Sequence, residues 1–426
     1  MIPRILLFIR RPTSKNVLIN TLGNYLNVFF TAFFALILVR ILTPSQYGIL
    51  SVLLGIAYVL ANILDFGTTA TIYSYLPALY EKKTSELYRF IKSTFYYQSI
   101  FSLTVILILL FTFPYLDKIF FKTGSPWWEL WLTSFSVLFL IWQNFIQNIL
   151  FAAKKFVKTN IYLNLANFLK TLVVLAMILT NNITVGSVIF IFGILGPMFF
   201  FILLFFEKKS LIPIFINVKV NRSDFRFGYT LTYFIASQFF NLGLRMDLFL
   251  LSYFRSKAEV GYYGLSQKII LTILTTVISI TQVLSPSFAK INLKAVAISQ
   301  LKTGITYLLV PAGLFLLLFF TPKQVYDFVF TEKFSETASI TRALALPFIL
   351  YALGSLPMLF LLYTAKKPIY ILFSNVIFFV ILTAGCYYLI PRLGVYGPPY
   401  AITAALIAAI AVQVYASVKE FKRIFT

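Results

Sequence analysis

The chain has 426 residues, 60% of them hydrophobic, with a mean hydropathy of +0.89 and a formal charge of +23. That is more apolar surface than a soluble domain of this length can hide, so water is not its main solvent. Nor does the positive charge point to nucleic acid, because the aromatic residues lie within runs of Leu, Ile and Val and not among the basic ones.

A basic stretch (Arg4, Arg10, Arg11, Lys15) precedes the first apolar run. That run continues to about residue 39 without a small-residue cleavage site, so it reads as a spanning helix and not as a removable signal. Segments long enough to cross a hydrocarbon core of about 30 Å as helices fall near 17–39, 47–78, 94–113, 127–150, 161–180, 186–206, 228–253, 262–288, 303–320, 338–363, 369–390 and 397–418. The expected fold is therefore an all-α polytopic membrane protein with 12 transmembrane helices. An even number puts both termini on one side. The connections on that side carry 24 Lys and Arg and the opposite set 8, which predicts cytoplasmic termini by the positive-inside rule. The single cysteine, Cys386, sits in the eleventh apolar run, where it can form no internal disulfide and reads as packing.

An internal repeat divides the chain into two pseudo-symmetric six-helix lobes. Leu150-Phe151-Ala152-Ala153-Lys154-Lys155 matches Leu362-Tyr363-Thr364-Ala365-Lys366-Lys367, each after the fourth span of its half. Gln46-Tyr47-Gly48-Ile49-Leu50-Ser51 matches Tyr262-Tyr263-Gly264-Leu265-Ser266, each opening the second. Two halves of six spans point the same way across the membrane, related by an axis along its normal. The expected domains are 1–206, an N-terminal lobe, and 228–426, a C-terminal lobe. Between them 207–227, with five basic residues among Ile, Phe and Val, reads as a linker lying on the cytoplasmic leaflet.

Polar residues recur on single faces of several spans. Asn20, Asn24, Asn27 and Thr31 mark the first span, and Ser51, Gly55, Tyr58, Asn62, Asp65 and Thr69 the second. Asn160, Asn164, Asn167 and Lys170 mark the fifth, Ser237, Asn241 and Arg245 the seventh, and Gly264, Lys268, Thr272, Thr275, Ser279 and Gln282 the eighth. Spacings of three and four keep each set on one helix face. Small polar residues commonly hydrogen-bond between packed helices; buried charge calls for more, because an unpaired ion at the bilayer centre costs several kcal/mol.

Lys170 sits midway along its span, about 15 Å from either surface at 1.5 Å per residue, too deep for its stem to snorkel. It faces either a wet, ligand-binding cavity or an acid. Arg245 and Lys268 lie at similar depth, suited to an anion or to neutralising Asp247. Arg245 and Asp247 differ by about 200° around the helix, so Arg245 is assigned to the cavity and Asp247 to Lys268 or the bundle. Arg342 and Arg40, near span ends, read as snorkelling and interfacial anchors. With no histidine in the chain, zinc sites of the usual type, catalytic triads and imidazole relays are excluded, and a proton carrier must be Asp or Glu. Asp65, withdrawn from water, fits a proton carrier or an ion pair with Lys170 equally well. The candidate substrate-cavity residues are thus Lys170, Arg245, Lys268, Asn24, Asn27, Asn62, Asn241 and Gln282, with Asp65 and Asp247 as candidates for coupling to H+ or Na+. No catalytic residue, metal site or cofactor is expected.

The stretch Arg40-Ile41-Leu42-Thr43-Pro44-Ser45-Gln46-Tyr47-Gly48, followed by Asp65-Phe66-Gly67, resembles the opening of polysaccharide-biosynthesis membrane proteins. These are the oligosaccharide flippases of the multidrug/oligosaccharidyl-lipid/polysaccharide exporter superfamily. Val260-Gly261-Tyr262-Tyr263-Gly264 echoes the motif in the second half. The resemblance implies two lobes flanking a cavity lined by the first, second, seventh and eighth spans. It implies a multi-pass protein of the cytoplasmic (inner) membrane whose cargo is a polyprenyl-pyrophosphate-linked oligosaccharide for O-antigen-like cell-envelope polysaccharide. Other glycan-assembly membrane proteins are the implied partners, with no nucleic acid. Two alternatives stand beside it. A drug or organic-cation exporter of the same fold would want an acidic or aromatic cavity, whereas four basic residues lie inside the spans against two acids. A membrane glycan polymerase or glycosyltransferase would want acidic or metal-binding residues on a sizeable outer loop, and the outer connections near 114–126 and 321–337 are short.

Overall fold

With little water to satisfy backbone amides, an apolar chain closes its hydrogen bonds within helices, and all regular structure among the described residues is helical. The computed structural model describes residues 12–42, 44–82, 85–121, 123–205, 219–255, 257–330 and 336–425. In chain order the helices are α1 (Pro12–Ile41), α2 (Pro44–Ile63), α3 (Thr68–Lys82), α4 (Ser85–Leu116), α5 (Trp127–Ala152), α6 (Phe156–Leu179) and α7 (Val185–Phe205). There follow α8 (Phe227–Phe254), α9 (Lys257–Phe288), α10 (Lys294–Phe320), the short α11 (Lys323–Phe330), α12 (Glu336–Leu359), α13 (Pro368–Leu393) and α14 (Gly397–Phe425).

Among the described residues, eight helical stretches are long and apolar enough to cross a bilayer, and nine if the bent pair Val52–Ile63 and Thr68–Glu81 is one span. One of the eight, Pro368–Phe425, holds both α13 and α14, which pack extensively on each other across a single 3-10 turn at Gly394–Tyr396. Several helices start well before the apolar runs that announce them; α4 begins at Ser85 and α10 at Lys294. Hydropathy marks only the apolar stretch, whereas the backbone ladder continues through the more polar residues beside it.

The second expected span, 47–78, is not one helix. It breaks at Leu64–Gly67, with Phe66 and Gly67 in the left-handed region (φ 55° and 72°) and the flanking segments bent by 47°. Phe66, bulky at a φ that normally favours glycine, is held by stacking on Phe101 (4.3 Å between centroids) and Phe225 (5.8 Å). Elsewhere the boundaries are conventional: Thr184 caps α7, accepting from Ser187 N (3.1 Å) while its own N–H donates to Ser187 Oγ (2.8 Å).

The chain divides into two compact units, Met1–Thr230 and Leu231–Thr426. In the first, α5 is the central post, with Leu130, Val137, Ile141 and Phe145 buried along one face and α2, α3, α4 and α7 packed around it. At its start Trp127, Trp128 and Trp131 form an exposed aromatic cluster of the kind enriched at membrane interfaces. Of the expected linker, 207–218 lies outside the described residues. The part from Asn221 onward is fastened to the first unit: Asp224 pairs with Arg89, Asn221 N donates to Ser93 Oγ (2.9 Å), the Thr71 and Thr230 hydroxyls bond at 2.8 Å, and Phe225 is buried.

In the second unit α12 packs against α9, α10 and α14. Gln413 donates to Ser374 Oγ (2.9 Å) between α14 and α13, and Asn375 to the Ala236 carbonyl (3.0 Å) between α13 and α8. The Arg342 guanidinium donates to the Thr321 carbonyl (2.8 and 3.2 Å), satisfying a terminal acceptor of α10. The side chain of Arg40 lies outside the described residues. The repeat has a backbone signature. Lys154 and Lys366, equivalent in the two halves, both adopt the left-handed conformation (φ 60° and 55°), and the following amides bond back to Leu150 O and Leu361 O at 2.9 Å.

Candidate functional site: a carboxamide-lined cavity in the first unit

Asparagines at spacings of three and four on α1 and α6 meet as a ladder. Asn160 Nδ2 donates to Asn20 Oδ1 (3.1 Å), Asn164 Nδ2 to the Gly23 carbonyl (3.3 Å) and Asn167 Nδ2 to Asn27 Oδ1 (2.7 Å). The helices approach closely because position 23 has no side chain; a Cβ there would lie 2.0 Å from Asn160 Oδ1. Gly23→Val is therefore expected to destabilise the protein by about 1–3 kcal/mol, the usual range for overpacking. Thermal unfolding in detergent measures it, and an unchanged midpoint would contradict the ladder's geometry.

Beside the ladder lies a cavity of about 520 Å3. Asn24 and Asn27 come from α1, Tyr58 and Asn62 from α2, Gln143, Asn144 and Gln147 from α5, and Asn167 and Lys170 from α6. Phe34, Leu38, Leu50, Leu54 and Phe192 supply apolar wall. Each carboxamide offers two donors and an acceptor, so the lining can both give and receive hydrogen bonds across the whole space. No Asp or Glu lines it among the described residues. Lys170, the sole charged residue among the described lining, holds its ammonium 5.3 Å from the centroid of the Phe192 ring. No carboxylate among the described residues pairs with it.

The expected alternative of an Asp65–Lys170 ion pair is thus not formed. Asp65 stands at the break between α2 and α3, where Oδ1 accepts from Gly67 N (2.8 Å) and Oδ2 from Thr69 N (3.4 Å). Its own carbonyl accepts from Thr68 Oγ1 (2.8 Å) and Gln98 Nε2 (3.3 Å). This is a helix cap, and it favours a structural role over ion coupling. Asp65→Ala is expected to cost about 0.5–2 kcal/mol of stability, as cap losses do, with transport retained. A transport defect in a variant of unchanged thermal stability would refute the capping role.

The remaining candidates belong to the second unit. Asp247 is buried and accepts from Tyr263 OH (2.6 Å), Gln267 Nε2 (3.0 Å) and Leu248 N (2.6 Å). It steadies the α8–α9 pair, while Lys268 stands exposed on α9. Asn241 is exposed and Gln282 partly buried; the Arg245 side chain lies outside the described residues. Of the expected cavity residues, Asn24, Asn27, Asn62 and Lys170 come together. Gln143, Asn144 and Gln147 went unremarked in the sequence, although Gln143-Asn144-Phe145-Ile146-Gln147-Asn148 repeats a polar pair at a spacing of four inside an apolar span.

Residues 13–292 match the family described as polysaccharide biosynthesis protein. No curated protein sequence matches the chain significantly. Among solved structures, the chain resembles an outward-facing multidrug resistance MATE family transporter of the MOP superfamily, with a TM-score of 0.76, 12% identity and 98% of each chain covered. It also resembles a MATE protein in its bent conformation (0.74, 15%, covering 98% of this chain and 97% of that one). A third is a MOP superfamily transporter from Pyrococcus furiosus, described as having a binding pocket of reverse polarity that suggests a different function (0.72, 12%, 98% and 97%). At such identities the likeness shows that the chain shares the fold of these proteins and nothing beyond it.

Proposed function

Because this chain belongs to the polysaccharide biosynthesis protein family, we propose that it flips a polyprenyl-pyrophosphate-linked oligosaccharide from the cytoplasmic to the outer leaflet of the cytoplasmic membrane, for cell-surface polysaccharide assembly. The observation that carries this reading is the cavity of carboxamides around a lysine, with no acid in its lining among the described residues. Sugar hydroxyls are donors and acceptors at once, which matches Asn and Gln, and an anionic group of the cargo would meet Lys170.

In this reading twelve spans form two six-helix lobes, 1–206 and 228–426, joined by a cytoplasmic interfacial linker at 207–227, with both termini in the cytoplasm. Rocking of the lobes exposes the head group to alternate sides while the polyprenyl tail stays in lipid. Lys268 and Arg245 would add positive potential from the second lobe. A diffuse positive field lowers the barrier to a pyrophosphate without binding it so tightly that release stalls.

The test is reconstitution in liposomes with a fluorescent lipid-pyrophosphate oligosaccharide, scored by quenching with a reductant that cannot cross the bilayer. Flipping well above the rate in protein-free vesicles supports the proposal. Flipping at the protein-free rate together with uptake of a cationic dye would replace it with the exporter, and extension of the glycan without translocation would replace it with an enzyme.

A further inference from the structure

Helix α7 is not a uniform α-helix: Val185–Phe190 and Gly196–Phe205 are joined by a π turn at Ile191–Leu195. Such widened turns occur mostly as single insertions and often at functional sites. This one carries Phe192 to the cavity wall, where its ring meets Phe34 edge-on at 4.7 Å, and it ends at Gly196, directly beneath the stem of Lys170. A Cβ at Gly196 would lie 2.5 Å from Lys170 Cδ, 3.2 Å from Cε and 3.3 Å from Cγ. The Lys170 side chain therefore runs across bare backbone and delivers its ammonium over the Phe192 ring.

A lysine on a flexible four-carbon stem samples many rotamers unless something fixes it. Here the fixing surfaces are one missing side chain and one aromatic face, both supplied by α7. We infer that Gly196 is a positioning residue: the gap it leaves is the trough that lays the Lys170 stem along α7 and sets the ammonium over Phe192, facing the cavity where an anionic group of the cargo would sit. The inference rests on the reading of this cavity as the cargo site. The substitution that tests it is mild for the fold, because the atoms a new methyl group would displace belong to a movable side chain and not to backbone.

The experiment uses full-length protein in nanodiscs with 13C-dimethylated lysines, the Lys170 resonance being identified by its absence in Lys170→Arg. In the wild type that resonance is shifted by the Phe192 ring current, and Phe192→Leu removes the shift. Gly196→Ala is expected to remove it too, with the thermal midpoint little changed. Titration with inorganic pyrophosphate is expected to move the wild-type resonance and to require at least about tenfold more ligand in Gly196→Ala. Adding Gly196→Ala to Lys170→Ala should then change pyrophosphate affinity no further, because the two positions act as one unit. A Lys170 resonance and titration unaltered by Gly196→Ala would overturn the positioning role while leaving the cavity reading intact. A wild-type resonance indifferent to pyrophosphate would instead defeat the anion-site reading, and the inference with it. Should Gly196→Ala fail to fold, recovery of folding in the Lys170→Ala/Gly196→Ala double variant supports the trough, and failure to recover overturns it in favour of helix packing alone.

Discussion

Lys170→Ala is expected to slow translocation of a lipid-pyrophosphate oligosaccharide in proteoliposomes roughly ten- to a hundredfold. The magnitude follows from a hydrogen bond to a charged group, which contributes about 1.5–3 kcal/mol, with 1.4 kcal/mol corresponding to a factor of ten. Among the described residues no other lining side chain carries charge to stand in for it, the rest of the polar lining being carboxamide and phenol. Stability should not fall with activity. The ammonium has no carboxylate partner among the described residues to be orphaned, and removing a deep cation relieves a desolvation cost. Lys170→Arg should retain part of the rate, because charge is kept while the planar guanidinium cannot lie over Gly196 and Phe192 in the same way. A wild-type rate in Lys170→Ala would remove this side chain from any account of the cargo's passage.

Asp247→Ala is expected to have the largest effect on stability, a loss of about 2–4 kcal/mol. It would leave the Tyr263 hydroxyl without its acceptor in a buried site, an orphaned donor that costs about 1–3 kcal/mol, and take from the Gln267 amide the shorter of its two hydrogen bonds, the other being to the Leu244 carbonyl, a loss of about 0.5–1.5 kcal/mol. Asp247→Asn keeps one carbonyl acceptor of nearly the same shape and should lose less than half as much. Thermal unfolding in detergent distinguishes the two variants. If Ala and Asn behaved alike with little loss, the α8–α9 junction would not depend on this residue. A defect confined to transport, with the midpoint unchanged, would restore Asp247 as a candidate for ion coupling.

The two carboxylates show what a stripe in a sequence can mislead about. Asp65 shares a helical face with Asn62 and Thr69, and on an unbroken helix it would share their cavity as well. The chain leaves the helix at Leu64–Gly67, so the periodicity that carries Asn62 to the cavity wall stops one residue before the acid, which turns to cap α3. Asp247 stands two positions from Arg245, and its angular offset was legible. That Tyr263 and Gln267 would take it up, and not Lys268, depends on how α8 and α9 pack, which no spacing along one helix contains.

That the chain is a succession of long apolar helices suited to a membrane could be read from residue types alone, because transfer of apolar side chains from water acts on each segment by itself. The duplicated Leu-x-x-Ala-Lys-Lys segment even carries its left-handed lysine in both halves. The membership of the cavity belongs to another level. Asn24, Asn62, Gln143 and Lys170 lie on four different helices, and Gln143 acquires its meaning from the packing of α5 against both α2 and α7. Which polar faces meet is governed by close approaches such as Gly23 against Asn160 and Gly196 against Lys170, contacts between residues more than twenty positions apart that exist only once the helices are packed.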